Sequence, residues 1–534
     1  MRSLYQASLD YFRKVNWTLL LFLLLVLNVK MLIKIPAIIL LLVLNREMFR
    51  AKSIYRQKFI WFYFSMAGIA VIDLLLNITS LSPNHLLAVS AGIGFWLLCA
   101  AAAFLNYWFV LKTDTDKLQT TVTLFFILNA AVIICQLVFI MWDAGSVNPY
   151  TYQGMHQKYF TSTGDRMTGI TFDVSTTNAI LNAFGVVYFL YSGKIRFTLL
   201  CMAMLLLTTS NFIDILLVVV LLLVFIFRST KNQKSIILSC FCLLAVFMAK
   251  VSPQNNHIIE ETFTKIAGIK ENKTIVNRDN TPLTEKPDSV LTTDERKQKI
   301  ARLFLDSIAK EQFKLNKNHF VPKPEIPEPS IHTEPFQRKR DTTALQKKLL
   351  LFALQNIPSF DTSVKYIDAR RQPGKLVAFQ QTFHYLEEHP STILTGCGIG
   401  NFASKLAFRT TGLQITGGYP GKFVYINHDF LDNHLNLYLA YFTKDKRLHS
   451  IIHSPNSVYD QLIAEYGLAG LIAFFLLYVL FFFQKSGKRS YGVPLLIILL
   501  GAFGVEYWYE QLSIVILFEL LMLMHIKNSS QQNE

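Results

Sequence analysis

The chain has 534 residues, of which 52% are hydrophobic, 43 are Phe and only 16% are charged. A soluble domain carries about 25% charged residues, and here the apolar residues come in long blocks. The composition therefore excludes an ordinary soluble protein and predicts an all-α polytopic membrane protein. The net charge of +16 does not point to nucleic acid, because many Lys and Arg stand in short loops between apolar blocks, where they orient a membrane protein.

The first apolar run, Trp17 to Val29, resembles a signal-peptide core, but no small-x-small cleavage site follows it. Lys30 and Lys34 precede a second run, Pro36 to Leu44, so an uncleaved pair of short helices is expected. Ten further spans are predicted near 58–77, 86–111, 120–141, 172–191, 196–209, 211–227, 235–251, 458–484, 491–506 and 510–526, making about twelve in all. The runs 196–209 and 211–227 are short enough to be one broken helix instead.

Loop charges set the orientation. Every even-numbered exit is basic, with Arg46, Arg50, Lys52, Arg56 and Lys58 after the second span and Lys485, Lys488 and Arg489 after the tenth. The short odd-numbered exits near 80–82, 208–211 and 506–510 carry no Lys or Arg; Lys30 and Lys34 make the first exit the exception. Basic loops stay cytoplasmic, so both termini are expected inside and the long polar segment outside. The predicted division is a membrane bundle over 1–251, a large, mostly helical periplasmic loop over 252–457 and a membrane part over 458–534. Only Cys397 of the six cysteines lies in the loop, so no disulfide forms within it.

Within the loop, 321–342 is rich in Pro and reads as an extended linker. Leu376 to Pro390 has helical spacing, and Thr395 to Phe402 (TGCGIGNF) spaces Gly396, Gly398 and Gly400 on alternate positions. Such glycines fit either a close backbone approach to a ligand or a tight turn. The loop ends in IHSPNSVYDQLIAEYGLAGLIAFF, where Ser454 is expected to cap a helix with Pro455 in its first turn, running on unbroken to Phe483. That places His453 at the helix mouth, where the dipole favours anions.

Together these pieces resemble the bacterial O-antigen ligase and O-antigen polymerase family. The resemblance rests on Arg370 or Arg371, Pro390, Gly398, Gly400 and Phe402, then on His453, Asn456, Glu465, Gly467 and Gly470, and earlier on Arg166, Gly169 and Asn178. It covers most of the membrane part and leaves out roughly 254–360. It implies a GT-C-like bundle of about twelve spans in the bacterial inner membrane. It further implies transfer of a glycan from undecaprenyl diphosphate to an acceptor hydroxyl on a glycan, on lipid A-core or on a protein, with no cofactor and no metal. One departure is Asn211, which stands where the family usually carries an arginine for the donor diphosphate; Arg166 or Lys250 is expected to compensate.

The chemistry fits those residues. A diphosphate leaving group needs cations, which Arg166 and Arg370 or Arg371 supply. The acceptor hydroxyl needs a base near neutral pH, the role assigned to His453. Asn456, Glu465, Asn211, Asp214 and Lys250 complete the predicted substrate contacts, with Gly398 and Gly400 in the loop. Asp73, Asp214 and Glu519 lie inside apolar spans, where carboxylates are costly. A transporter of lipid-linked glycans would use them as an ion path, and a receptor or scaffold would use only the large loop.

Overall fold

The computed structural model describes residues 12–28, 30–76, 82–150, 163–172, 174–252, 373–412, 419–435, 437–438, 454–487 and 490–531. Regular structure among the described residues is entirely helical. The first nine helices are α1 Trp17–Val26, α2 Met31–Leu44, α3 Lys58–Leu76, α4 Pro83–Lys112, α5 Thr115–Ala144, α6 Ser175–Tyr191, α7 Ile195–Leu207, α8 Asn211–Phe227 and α9 Lys231–Val246. Then come α10 Gly374–Glu388, a short turn of helix Lys405–Thr410, α11 Val458–Ala473, α12 Gly492–Phe503 and α13 Ser513–Gln531.

Among the described residues, six helices are long and apolar enough to cross a membrane: α3, α4, α5, α9 extended to Val251, α11 extended to Lys485, and α13. Helices also stand at the other predicted blocks; α1, α2, α7, α8 and α12 are shorter apolar ones, and α6 is buried from Ser175 to Leu190. The starts follow local chemistry. Ser82 accepts the His85 N–H with Pro83 in the first turn of α4, and Thr230 and Gln233 form a capping box on α9. Between residues 196 and 227 the helix is interrupted at Thr208–Ser210, where Thr209, at φ 47, separates α7 from α8.

The helices pack around aromatic rings. Phe62, Trp96, Phe474, Tyr478 and Tyr509 touch one another near the centre, and Glu519 accepts from Tyr63 and, at 3.2 Å, from Tyr478. The start of α1, the turn after α4 and the C-terminal part of α13 meet. There Asn16 bonds Thr113 at 2.7 Å and Lys527 bonds the Val110 carbonyl at 2.8 Å. Of the two lysines at the first exit, Lys30 is exposed and Lys34 is not. Lys34 is fully buried and donates to the Gln511 carbonyl and to Ser513 Oγ at 2.7 Å, so it is not a free loop charge.

The segment around Asn456 corrects the sequence reading twice. The helix begins at Val458, not at Pro455, because Ser454 Oγ accepts the Asn456 N–H at 3.3 Å and so closes a turn before the helix. Nor does it run unbroken to Phe483. Gly467 sits at φ 60, ψ −159, and the backbone continues through a π-turn, Phe474–Val479, into Leu480–Lys485.

Candidate active site

The break at Gly467 is filled by the chain itself. Residues 393–397 lie in it: the carbonyls of Ile393 and Leu394 accept from the N–H groups of Leu468 at 2.8 Å and Ala469 at 3.0 Å, and the Cys397 N–H donates to the Ala464 carbonyl at 2.9 Å. Groups that an unbroken helix would pair internally are thus paired across to the loop. A Cβ at Gly396 would overlap the Glu465 backbone. Gly398 and Gly400, at φ 91 and 76, admit the Asp73 carboxylate and the Leu406 side chain. The spaced glycines therefore serve a close approach of the protein to itself.

Glu465 holds this loop. Its carboxylate accepts from the backbone N–H groups of Gly400 at 3.0 Å, Phe402 at 3.1 Å, Ala403 at 3.1 Å and Ser404 at 2.9 Å. One turn earlier, buried Asp460 accepts from Thr382 Oγ1 at 2.6 Å and pairs with His434 Nε2 at 3.0 Å. The two carboxylates of α11 before its break thus anchor α10, the 430–434 turn and the glycine loop. His434 and Asp460 were missed in the sequence because nothing in their spacing links them.

Asn456 joins a second cluster. Its side chain donates to both oxygens of Glu506 at 3.3 Å. Lys375, at the start of α10, donates to the Asn456 carbonyl and to the Val505 carbonyl at 2.8 Å. Lys375 and Glu506 were also missed; the only sequence signal was two glutamates, Glu506 and Glu510, between two apolar blocks. Burial pushes the Lys375 ammonium down to about 8, against the pull of Glu506 and Asp460. The folded form therefore binds this proton less tightly than the unfolded chain does. Stability relative to a Lys375→Met protein is expected to rise as pH climbs from about 8 toward the ordinary lysine value of 10.5, and to be lowest below 8. Thermal midpoints of the two proteins across that range check it; a constant difference would show the proton is not linked to folding.

The Arg166 turn is built separately and brought alongside. Asn129 accepts from the Ile170 N–H at 3.0 Å, Gln136 from the Gly169 N–H at 3.0 Å, and Asn178 donates to the Met167 carbonyl at 2.8 Å. Asn129 and Asn178 also bond each other at 2.9 Å. Gly164 is pressed against Thr208 and Thr209, immediately before Asn211. Gly501 of α12 in turn packs on Leu216 of α8. Asp214 is buried, and one oxygen of Asp214 and the side-chain oxygen of Asn211 have no hydrogen-bond partner. Lys250 is exposed, next to Val251, whose carbonyl accepts from Asn148 at 3.1 Å.

The fold thus sets the Arg166 turn against Thr208 and Thr209, just ahead of Asn211 and Asp214, and separately joins Asn456 to Lys375 and Glu506. His453, Arg370 and Arg371 lie outside the described residues, as does the Pro-rich stretch 321–342. The chain matches no family model, no curated protein and no solved structure.

Proposed function

We infer that this chain is a glycan transferase of the O-antigen ligase or polymerase type, working on an undecaprenyl-diphosphate donor. In this reading it has about twelve spans in a bacterial inner membrane, with both termini cytoplasmic and the 252–457 segment periplasmic. The observation that supports it is a pair of built polar clusters in an apolar helical bundle: the Arg166 turn held by Asn129, Gln136 and Asn178 ahead of α8, and the Lys375–Asn456–Glu506 cluster ahead of α11. A lipid-borne diphosphate needs cations at the membrane surface, and Arg166, Lys375 and Lys250 are of that type. Asp214, Asn456 and Glu506 are suited to sugar hydroxyls. The acceptor proton goes to His453, next to Ser454 and two residues from Pro455. Ligation to lipid A-core, polymerisation and transfer to protein share this chemistry.

Purified protein in vesicles with a polyprenyl-diphosphate glycan tests this. His453→Ala is expected to lower transfer by about 10²–10⁴-fold while donor binding stays intact. Arg166→Ala is expected to weaken donor binding about tenfold or more, because a charge-assisted contact is removed. Transfer at the wild-type rate by His453→Ala protein would remove the base assignment. Donor-lipid translocation that depends on Asp73 or Glu519 and not on His453 would favour a transporter.

A further inference from the structure

Helix α10 has two apolar sides. One packs on the protein through Val377, Ala378, Thr382 and Tyr385. The other carries Leu376, 56% exposed, and Phe383, 53% exposed, with half-buried Phe379 between them. Spacings of three and seven put these on one stripe of a helix. Gln380, His384 and Glu387 border the stripe. Five residues beyond α10, Ile393 and Leu394 are uncovered as well, at 38% and 62%.

The position of Ile393 and Leu394 is fixed by their bonds to Leu468 and Ala469. Leu468 opens the second half of α11, whose outward side, Leu468, Ile472, Phe475 and Leu476, is exposed and apolar. From Leu468 to Lys485 that half rises about 25 Å at 1.5 Å per residue, a little under the ~30 Å of a bilayer's hydrocarbon core. With Lys485 at one boundary, Leu468 stands at the other. The Ile393–Leu394 turn therefore lies where acyl chains meet headgroups, and α10 leads into it. Uncovered apolar side chains on a membrane helix, on the turn bonded to it and on the helix that leads into that turn are costly to leave in water.

We propose that α10 and the Ile393–Leu394 turn are a membrane-seated platform, with the apolar stripe of α10 lying in the headgroup–acyl boundary of the bilayer. The occupant of this surface is lipid, because the Ile393–Leu394 turn that follows α10 is bonded to the head of α11's outward apolar half. Through Thr382 and Lys375 the platform sets Asp460, Asn456 and the glycine loop at the level where a lipid headgroup is presented. The inference rests on α11 crossing a bilayer and not on glycan transfer.

The test uses full-length protein in phosphatidylcholine vesicles, with exposed Cys135 and Cys242 replaced by Ser. Phe383→Cys, Leu394→Cys and His384→Cys are each labelled with an environment-sensitive fluorophore. Labels at 383 and 394 are expected to be quenched several-fold by lipids carrying a shallow nitroxide and shielded from aqueous iodide; the label at 384 should show the reverse. Equal iodide quenching at all three positions would overturn the platform. Shielding of 383 and 394 from both quenchers would also overturn it, since protein, from a second copy or another part of this chain, then covers the stripe.

Discussion

Gly467→Ala is expected to be among the most damaging single changes in the described part of the chain. Its backbone, at φ 60 and ψ −159, lies in a region open essentially to glycine, costing other residues about 1–3 kcal/mol. A Cβ there would stand 2.6 Å from Gly396 N, Ile393 O and Leu394 C, all main-chain atoms that cannot rotate away. Relieving the contact requires expelling the loop from the break, which loses the bonds to Leu468 and Ala469. The expected loss is above about 3 kcal/mol, read as a lowered thermal midpoint in detergent and proteolytic cleavage near 393–404. Gly68→Ala, in α3 with nothing within 4 Å, is the control and should be neutral or stabilising by up to about 1 kcal/mol. Equal behaviour of the two variants would mean the break at Gly467 is not needed.

Glu465→Ala is expected to match it by a different route. Four buried backbone N–H groups lose their acceptor at once, and hydrogen bonds to a charged group contribute about 1.5–3 kcal/mol each. Not all of this is lost, since the loop can rearrange toward water, so a net cost on the order of 4 kcal/mol is expected. Glu465→Gln keeps one carbonyl oxygen and should lose about half as much. If both variants keep the wild-type midpoint and protease pattern, the carboxylate does not hold the loop. Under the proposed transferase function, activity should fall with loop order in both variants, unlike the effect proposed for His453→Ala on an intact fold.

Both residues were legible in the sequence as members of a motif, but not in these roles. Glu-x-Gly read as a substrate contact beside a helical glycine. Folded, Glu465 binds the Gly400–Ser404 backbone and Gly467 is where the helix stops. Spacing along one chain reports only the partners a helix supplies to itself, and these partners lie more than sixty residues away.

The membrane character and helical blocks were determined by the sequence itself, because hydrophobic burial and bilayer length act on local composition, and each helix satisfies its own backbone. The pairing of the Arg166 turn with Asn129 and Asn178 was not readable, since amide side chains carry no pattern until packing brings two helices together. Nor was the burial of Lys34, which only the Gln511–Ser513 turn explains. Local periodicity decides which segments become helices. Tertiary structure alone decides which helix is broken, what fills the break, and which partners the buried charged groups find, because those depend on long-range contacts that no window of sequence contains.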